Sequence, residues 1–407
     1  MIFSRRIFMK NAGLGFLALG LPPAFVVRAA EGEKKNRGKI LVVVFQRGGM
    51  DGLNAVIPFR EKGYYSLRPS IAVAEPASGD DRAVDLDGFY ALHPALAPLK
   101  GLFDKGRLAI IHAAGSPDNT RSHFDAQDYM EIGTPGVKST PDGWLNRCLA
   151  KELQNPTPFR AVALTSRLPR ILAGSAPALT MSSAEEFRLR EESSAAMLRK
   201  LYSTAQDPLL QQGSRSLFNG MEVMQQVAAS VPSAAEGYPA GRFGGSLREI
   251  SRLIKANVGL EIAFAEIEGW DTHANQGGAT GQMANRLREL AEGLSAFYRD
   301  LGDRMEDIVL ITLSEFGRTV RENGNRGTDH GHANVMFALG GRIKGGKVYG
   351  RWPGLEPEVL YEGRDLDLTT DFRSVCGEVL SRHMGQKDLG KVFPGYRMPL
   401  RPLGLIA

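Results

Sequence analysis

The chain has 407 residues, of which 43% are hydrophobic, and a formal net charge of +5 at pH 7. This length exceeds the usual ~100 to 200 residues per domain, although α/β folds often run larger as one unit, and it allows a large buried core. The two cysteines, Cys148 and Cys376, form no C-x-x-C pair. That excludes cysteine-built iron–sulfur clusters and zinc ribbons, and it leaves a disulfide between the two residues open.

The first 29 residues are typical of a twin-arginine signal peptide. Residues 4–10 (SRRIFMK) form a basic head, an apolar stretch follows over residues 12–27, and a small side chain stands at Ala29. Glycines and prolines interrupt the apolar stretch, so an uncleaved membrane anchor is the weaker alternative. A general Sec signal would not need the paired arginines. We predict cleavage after Ala29, a polar linker over residues 30–38, and export to the periplasm or the medium with only transient membrane contact.

The basic charge belongs largely to this signal. Residues 1–29 hold four basic residues and no acidic residue, so the formal net charge of the remainder falls from +5 to +1. The remainder also contains no basic block with interleaved aromatic residues. The sequence therefore predicts no nucleic-acid partner.

Alternating patterns along the rest of the chain predict the fold class. Continuous apolar runs predict six buried strands, over residues 39–45, 108–112, 161–164, 260–265, 308–313 and 335–339. Helical patterns lie between them, over residues 184–202, 214–229, 281–301 and 371–383. This alternation predicts an α/β fold, a mostly parallel sheet with helices on both faces, as a single domain over residues 39–407. The Ser-, Pro-, Ala- and Gly-rich segment 230–245 is interpreted as a surface loop or hinge.

Polar residues that can bind metals cluster just after the predicted strands. Ligands bind at this edge of open α/β sheets. Five of the seven histidines lie in or beside the clusters, each with a carboxylate nearby in sequence: His112, His123, His273, His330 and His332. Carboxylates and imidazoles without thiolates suit Zn, Mn, Mg or Fe. We interpret their joint occurrence as a metal site.

Each cluster also has a purely structural alternative. Asp51 with Gly52 is an ordinary turn signal, and Ser122 with Asp125 can simply begin a helix. An Asp-x-His pattern at residues 271–273 is weak alone. The strongest element is residues 329–332 (DHGH), because two imidazoles and a carboxylate crowd into four positions; the alternative there is a pair of surface histidines.

Five stretches carry a resemblance to a known family: residues 48–54 (GGMDGLN), 122–127 (SHFDAQ), 269–273 (GWDTH), 314–319 (SEFGRT) and 327–332 (GTDHGH). With these motifs the chain resembles the exported DUF1501 family, which is placed in the alkaline phosphatase and sulfatase superfamily. The resemblance spans nearly the whole chain after the signal. It implies an alkaline phosphatase-like fold.

The resemblance also implies roles for single residues. Ser122 fits the nucleophile by position. In a hydrolase mechanism argued from charge, Arg121 or Arg318 would hold an anionic oxygen of the substrate. The implied ligands of one or two divalent ions, Zn, Mn, Mg or Ca, are Asp51, Asp271, His273, Glu315, Asp329, His330 and His332. Two features depart from the superfamily pattern: the pair at residues 271–273 is closer together, and Glu315 with Phe316 replaces an Asp-His dipeptide. The loss of that imidazole leaves a one-metal site, or none.

Two functions of different classes follow, and a third ranks last. The first is an exported metal-dependent hydrolase of phosphate or sulfate esters, acting on a small-molecule or glycan substrate. The absence of a C-x-P-x-R motif argues against a formylglycine sulfatase. The second is a non-catalytic exported binding or assembly protein that keeps the fold and has a protein partner. A redox enzyme ranks last, because no cysteine motif and no G-x-G-x-x-G after a strand is present.

Overall fold

The computed structural model describes residues 38–149, 159–182, 237–399 and 402–407, together with positions 157, 200, 220 and 227. Twelve strands are defined in this part of the chain: β1 Ile40–Arg47, β2 Val56–Pro58, β3 Val84–Asp85, β4 Tyr90–Leu92, β5 Leu108–Gly115, β6 Ala161–Ala163, β7 Leu179–Thr180, β8 Ile262–Glu268, β9 Ile308–Leu313, β10 Asn334–Gly340, β11 Val348–Tyr349 and β12 Thr370–Asp371. Nine of them form the main sheet.

The main sheet has the order β11-β5-β10-β9-β1-β8-β6-β7, and β12 also pairs with β5. β1 lies near the middle and pairs in parallel with β8 and with β9, with Val42 opposite both Ala263 and Leu310. β10 alone runs against its neighbours, since it is antiparallel to β5 and to β9. The carboxyl ends of β1, β5, β8 and β9 therefore meet at one edge of the sheet.

Helices flank the sheet within the described residues: α1 Gly52–Ala55, α2 Lys62–Leu67, α3 Lys100–Asp104, α4 His123–Ile132, α5 Trp144–Leu149, α6 Arg242–Lys255, α7 Gln282–Leu301, α8 Phe372–Arg382 and α9 Leu389–Val392. Short 3₁₀ helices cover Pro94–Leu99, Arg170–Leu172, Gly302–Asp307 and Pro357–Val359. None of the helices in the described part of the chain is long and apolar enough to cross a bilayer.

The two faces of β1 belong to two separate hydrophobic cores. Val42 and Val44 contribute to one core together with side chains of α6 and α7. Val43 and Phe45 contribute to the other, together with side chains of α4, α5 and α8. Successive side chains of a strand point to opposite faces, so the division between the two cores follows from this two-residue period. Because both faces are buried, residues 40–45 are apolar at every position. The predicted α/β class, with helices on both faces, is confirmed.

All six predicted strands are present, as β1, β5, β6, β8, β9 and β10. The predicted helices over residues 281–301 and 371–383 are present as α7 and α8. Those predicted over residues 184–202 and 214–229 lie outside the described residues apart from single positions. The signal peptide and nearly all of the linker also lie outside them, so the division of the chain into signal, linker and one domain stays a prediction.

The structure corrects the loop predicted over residues 230–245. α6 begins at Arg242, so the last four residues of that segment are helical. The spacing of Phe243, Leu247, Ile250 and Ile254 places these side chains on one face, where they are buried in the core shared with α7. Composition suggested a loop because two glycines, Gly244 and Gly245, fall in the first turn.

A second, smaller sheet was not predicted. It has the order β2-β4-β3, is antiparallel, and covers a third apolar cluster that includes Ile57, Phe59 and Tyr64. Its strands are two or three residues long, too short for a periodic pattern to show. Cys148 and Cys376 are both buried and are not joined by a disulfide.

Candidate metal centre

Four side chains converge above the sheet edge where β1, β5, β8 and β9 end. His123 is the first residue of α4, Asp271 and His273 lie in the loop after β8, and His330 lies in the loop that leads into β10. The Oδ1 atom of Asp271 lies 3.0 Å from Nε2 of His273, 3.2 Å from Nε2 of His330 and 3.4 Å from Nε2 of His123. The Nε2 atoms of His273 and His330 are 2.9 Å apart.

The opposite nitrogen of each ring fixes its tautomer. Each Nδ1 atom lies at hydrogen-bond distance from an acceptor behind the ring: Glu315 Oε1 (2.7 Å) for His123, Asp329 Oδ1 (3.0 Å) for His273 and the carbonyl of Arg121 (2.7 Å) for His330. A proton on Nδ1 leaves a lone pair on Nε2. The three Nε2 lone pairs and the carboxylate oxygen of Asp271 then face one another. These electron-rich atoms repel one another unless a cation lies among them.

The donor set fits a divalent metal ion. Ligand atoms of His123, Asp271 and His330 lie within 4.8 Å of one another, and His273 lies beside two of these residues. Zinc takes nitrogen and oxygen ligands at about 2.0–2.2 Å in tetrahedral geometry, which places neighbouring ligand atoms roughly 3.3 Å apart. The separations of 3.0–3.4 Å between Asp271 Oδ1 and the three Nε2 atoms, and of 2.9 Å between the Nε2 atoms of His273 and His330, match this spacing. Imidazoles that donate their far N–H to a carboxylate or carbonyl are typical of metal ligands.

The charges of the site keep Asp271 ready to bind a cation. Burial alone would raise the pKa of Asp271, but the hydrogen bond and charge of Arg318 lower it to about 2, so Asp271 is a carboxylate at neutral pH. The hydrogen bond to Glu315 raises the pKa of His123. Burial would also raise the pKa of Glu315, yet its hydrogen bond with His123 lowers it below the ordinary value.

Two glycines let the loop after β1 pack against the centre. Gly48 has φ +120, and an added Cβ would lie 2.8 Å from the backbone nitrogen of Asp271. Gly49 has φ +67, and its added Cβ would meet the ring of Phe316 at 2.6 Å. Contacts of this length leave no room for a side chain, so both positions require glycine.

Two predicted ligands lie behind the imidazoles rather than among the converging atoms. Glu315 is buried, and its Oε1 accepts hydrogen bonds from His123, from the backbone N–H of Gly48 (2.8 Å) and from Gln127 (2.9 Å). Asp329 contacts His273 and also accepts a hydrogen bond from Asn323 at 3.0 Å. Both carboxylates therefore orient ligands.

Asp51 and His332 do not join the converging group. Asp51 is 1% exposed, and its Oδ2 accepts hydrogen bonds from Arg68 (2.6 Å) and Gln276 (2.6 Å), so a buried guanidinium neutralises the carboxylate. The ring of His332 stacks on Tyr361 at 4.0 Å between centroids. Burial lowers the pKa of His332. Without these two residues, the converging group within the described part of the chain consists of His123, Asp271, His273 and His330.

His112 has a structural place as well. Its Nε2 hydrogen-bonds the carbonyl of Val56 at 3.0 Å, and its ring stacks on Tyr90 at 5.1 Å between centroids. His123, another histidine of the predicted clusters, is a central member of the site, although no metal role was assigned to it from sequence. Its position directly after Ser122, at the start of a helix that follows a buried strand, is the signal that could have found it.

The residues predicted to act on the substrate differ in their surroundings. Ser122 is the N-cap of α4, and its hydroxyl accepts a hydrogen bond from the backbone N–H of Asp125 at 3.5 Å. The Arg121 side chain is 31% exposed and pairs with Glu362 (2.6 Å) and Asp365 (2.7 Å). Arg121 therefore lies at the surface of the site, and its own backbone carbonyl holds the ring of His330.

Arg318 is buried at the base of the loops. It donates to Asp271 Oδ1 (2.7 Å) and to four backbone carbonyls, those of Gly48, Gly49, Trp270 and Thr328. Its side chain is fully enclosed. These bonds join three loops and position Asp271, so the Arg318 side chain is committed to the protein interior.

Comparisons with solved structures give distant likenesses. One is to the C-terminal periplasmic domain of EcEptC from Escherichia coli in complex with Zn, at 9% identity and a TM-score of 0.36, covering 80% of this chain and 76% of that one. Another is to the PsFucS1 sulfatase from Pseudoalteromonas sp., at 12% identity and a TM-score of 0.32, covering 81% and 69%.

The family of the chain follows from a comparison with protein-family models. No curated protein matches the chain significantly. Residues 109–394, well over half of the chain, match the family model described as "Protein of unknown function (DUF1501)". This span contains all four side chains of the centre and the two carboxylates behind them. The chain therefore belongs to the DUF1501 family.

Proposed function

We propose that the protein is a metal-dependent hydrolase of phosphate or sulfate esters with a single divalent ion at the centre formed by His123, Asp271, His273 and His330. One observation carries this proposal: three Nε2 atoms face one carboxylate oxygen, while every Nδ1 is bonded to an acceptor. A set of neutral imidazoles with one carboxylate suits Zn²⁺.

The residues around the centre have complementary roles in this proposal. A bound divalent ion polarises an ester oxygen and lowers the pKa of a coordinated hydroxyl or water. Ser122, next to His123 at the start of α4, supplies the attacking hydroxyl, and a water molecule is the alternative nucleophile. Arg121 holds an anionic oxygen of the substrate. Glu315, Asp329 and the carbonyl of Arg121 keep the three rings oriented.

We also propose that the protein reaches the periplasm or the medium through the twin-arginine route, which carries folded proteins and so permits metal loading before export. The motif at residues 4–10 and the boundary at Ala29 support this proposal. N-terminal sequencing of the exported protein is expected to begin at Ala30. Exported protein that still begins at Met1 would contradict it.

Metal content tests the site. Protein purified after native export is expected to hold one equivalent of metal by mass spectrometry, and Asp271→Ala and His330→Ala are expected to lose it, because each removes an atom at the point of convergence. His332→Gln is the matched control: it changes the histidine two positions away, outside the converging group, and is expected to keep its metal. Undiminished metal in both alanine variants would sink the assignment, and stable metal-free wild type would favour the binding or assembly role.

A further inference from the structure

A polar ridge on α4 begins at the candidate metal centre. It consists of His123, Gln127 and Glu131, which follow one another at intervals of four residues and so lie on one face of the helix. Each side chain of the ridge hydrogen-bonds a charged residue outside α4: His123 binds Glu315, Gln127 binds both Glu315 and Arg47, and Glu131 binds Arg47. The ridge therefore joins α4 to residues at the ends of β1 and β9.

Arg47, the last residue of β1, holds two side chains of the ridge at once. Its Nη1 donates to Gln127 Oε1 and its Nη2 donates to Glu131 Oε1, each at 2.9 Å. Its Nε donates to Glu266 Oε2 on β8 at 2.7 Å. Because the guanidinium is planar and its N–H groups have a fixed geometry, three bonds in three directions define its orientation. Arg47 is thus a rigid support for Gln127.

The two neighbours of Gln127 determine how its amide is turned. A guanidinium can only donate hydrogen bonds, and an ionised carboxylate can only accept them. The amide oxygen therefore faces Arg47, and the amide nitrogen donates to Glu315 Oε1 at 2.9 Å. A reversed amide would place its oxygen against the carboxylate and its N–H groups against the guanidinium, so only one orientation is favourable.

The oxygen of Glu315 that Gln127 binds is the same oxygen that holds His123. Glu315 Oε1 lies 2.7 Å from Nδ1 of His123, and the Glu315 side chain is fully enclosed. On the other side of the ring, Nε2 of His123 lies 3.4 Å from Asp271 Oδ1. A displacement of Glu315 Oε1 would turn the imidazole and move its Nε2 away from the other ligand atoms.

We infer that Gln127 is a positioning residue of the metal centre, which transmits the fixed orientation of Arg47 to Glu315 and, through Glu315, to His123. The support of this ligand thus extends beyond its direct partner to β1 and β8. The expected effect of Gln127 on metal affinity rests on the proposed function, whereas its effect on the ring of His123 does not.

Competition with a chelator tests the effect on metal affinity. Gln127→Met keeps the length of the side chain but cannot donate to Glu315, so it is expected to weaken Zn²⁺ binding about tenfold. Glu131→Gln is the matched control: Glu131 is buried on the same ridge and also binds Arg47, but its other oxygen accepts from the backbone N–H of Ile171. The control is expected to lower the free energy of unfolding and to keep wild-type affinity for Zn²⁺. Wild-type affinity in Gln127→Met, or an equal loss in both variants, would overturn the inference.

Proton NMR of the metal-free protein tests the effect on the ring. An imidazole N–H that is bonded to a carboxylate resonates downfield of the amide protons, and its loss in His123→Gln identifies the signal of His123. This signal is expected to move upfield or broaden in Gln127→Met and to stay unchanged in Glu131→Gln. An unchanged signal in Gln127→Met would contradict the positioning role. A shifted signal in Gln127→Met, together with a wild type that binds no Zn²⁺, would refute the proposed metal chemistry and leave Gln127 as the residue that positions His123.

Discussion

His123, His273 and His330 are each oriented by the ring nitrogen that faces away from the centre. The acceptors differ in kind: a buried carboxylate, a surface carboxylate and a backbone carbonyl. Glu315 is the most constrained of these acceptors, because its Oε1 also accepts hydrogen bonds from Gly48 and Gln127. Its negative charge reaches the centre through the hydrogen bond with His123.

Glu315→Gln is expected to weaken metal binding about 10- to 100-fold. The amide keeps the shape of the side chain and an oxygen acceptor for His123, but it removes the charge that raises the pKa of this histidine and strengthens it as a ligand. Competition titration against a chelator measures the change. Glu362→Gln, at the surface beside Arg121, is the control and is expected to keep wild-type affinity; an equal loss in both variants would contradict the role of Glu315.

At this scale the sequence predicted the residue types of the centre better than their roles. Asp271, His273 and His330 were predicted as ligands and lie at the point of convergence. Glu315 and Asp329 lie behind the rings, where each contacts the Nδ1 atom of an imidazole. A sequence motif does not show whether a carboxylate reaches the point of convergence or the histidine beside it. Asp51 lies outside the converging group, because Arg68, which belongs to none of the motifs, pairs with it in the interior.

At the scale of elements, burial on both faces made the main strands predictable. β1 and β9 are apolar at nearly every position, and a run of this length is typical of a strand that is buried on both faces. The strands of the small sheet, such as β3 with two residues, carry no period at all. The start of α4 at Ser122 was predicted only from its capping residues, as the structural alternative for Ser122, and the structure confirms it. The polar residues of α4 face the centre and break the apolar stripe that marks an amphipathic helix.

The start of α4 separates a structural from a chemical role for Ser122. Ser122→Ala is expected to lower the free energy of unfolding by about 1 kcal/mol, because it removes the N-cap, and to abolish ester hydrolysis. Ser122→Asn keeps a capping oxygen, so it is expected to retain stability but not turnover. Urea unfolding and an ester panel measure the two effects. Full turnover in Ser122→Asn would assign Ser122 to the cap alone and make water the nucleophile.

At the scale of the whole molecule, three histidines outside the centre are buried in neutral form. Burial lowers the pKa of His93, His112 and His383 to about 4 each. They hydrogen-bond the carbonyls of Gly278, Val56 and Ile40, which belong to distant parts of the chain. Protonation of any of them would place an unpaired charge in the interior.

Stability is therefore expected to fall as the pH drops from about 6.5 to about 4. In this range the unfolded chain takes up protons on these histidines and the folded chain does not, so acid favours unfolding. Each of the three histidines lowers the free energy of unfolding by about 2 kcal/mol when the pH falls from 7.5 to 5.0. The raised pKa of His123 has the opposite effect on the free energy of unfolding, because the folded chain binds a proton there more readily than the unfolded chain.

Urea unfolding at pH 7.5 and 5.0, with a chelator present, measures this loss. His383→Gln can still donate to the carbonyl of Ile40 but cannot titrate, so its stability is expected to change less between the two pH values than that of the wild type. Equal changes in the two proteins would show that His383 is not buried in neutral form.

The four side chains of the centre come from positions 123, 271, 273 and 330, so the order of synthesis matters. A chain emerging from the ribosome presents a single one of these groups until residue 271 appears, and the third imidazole arrives only when about four fifths of the protein has been made. A truncated or stalled product cannot assemble the complete set. An ion held by these four groups would therefore enter after translation has passed the last loop, and it would join three segments that the sheet has already brought together.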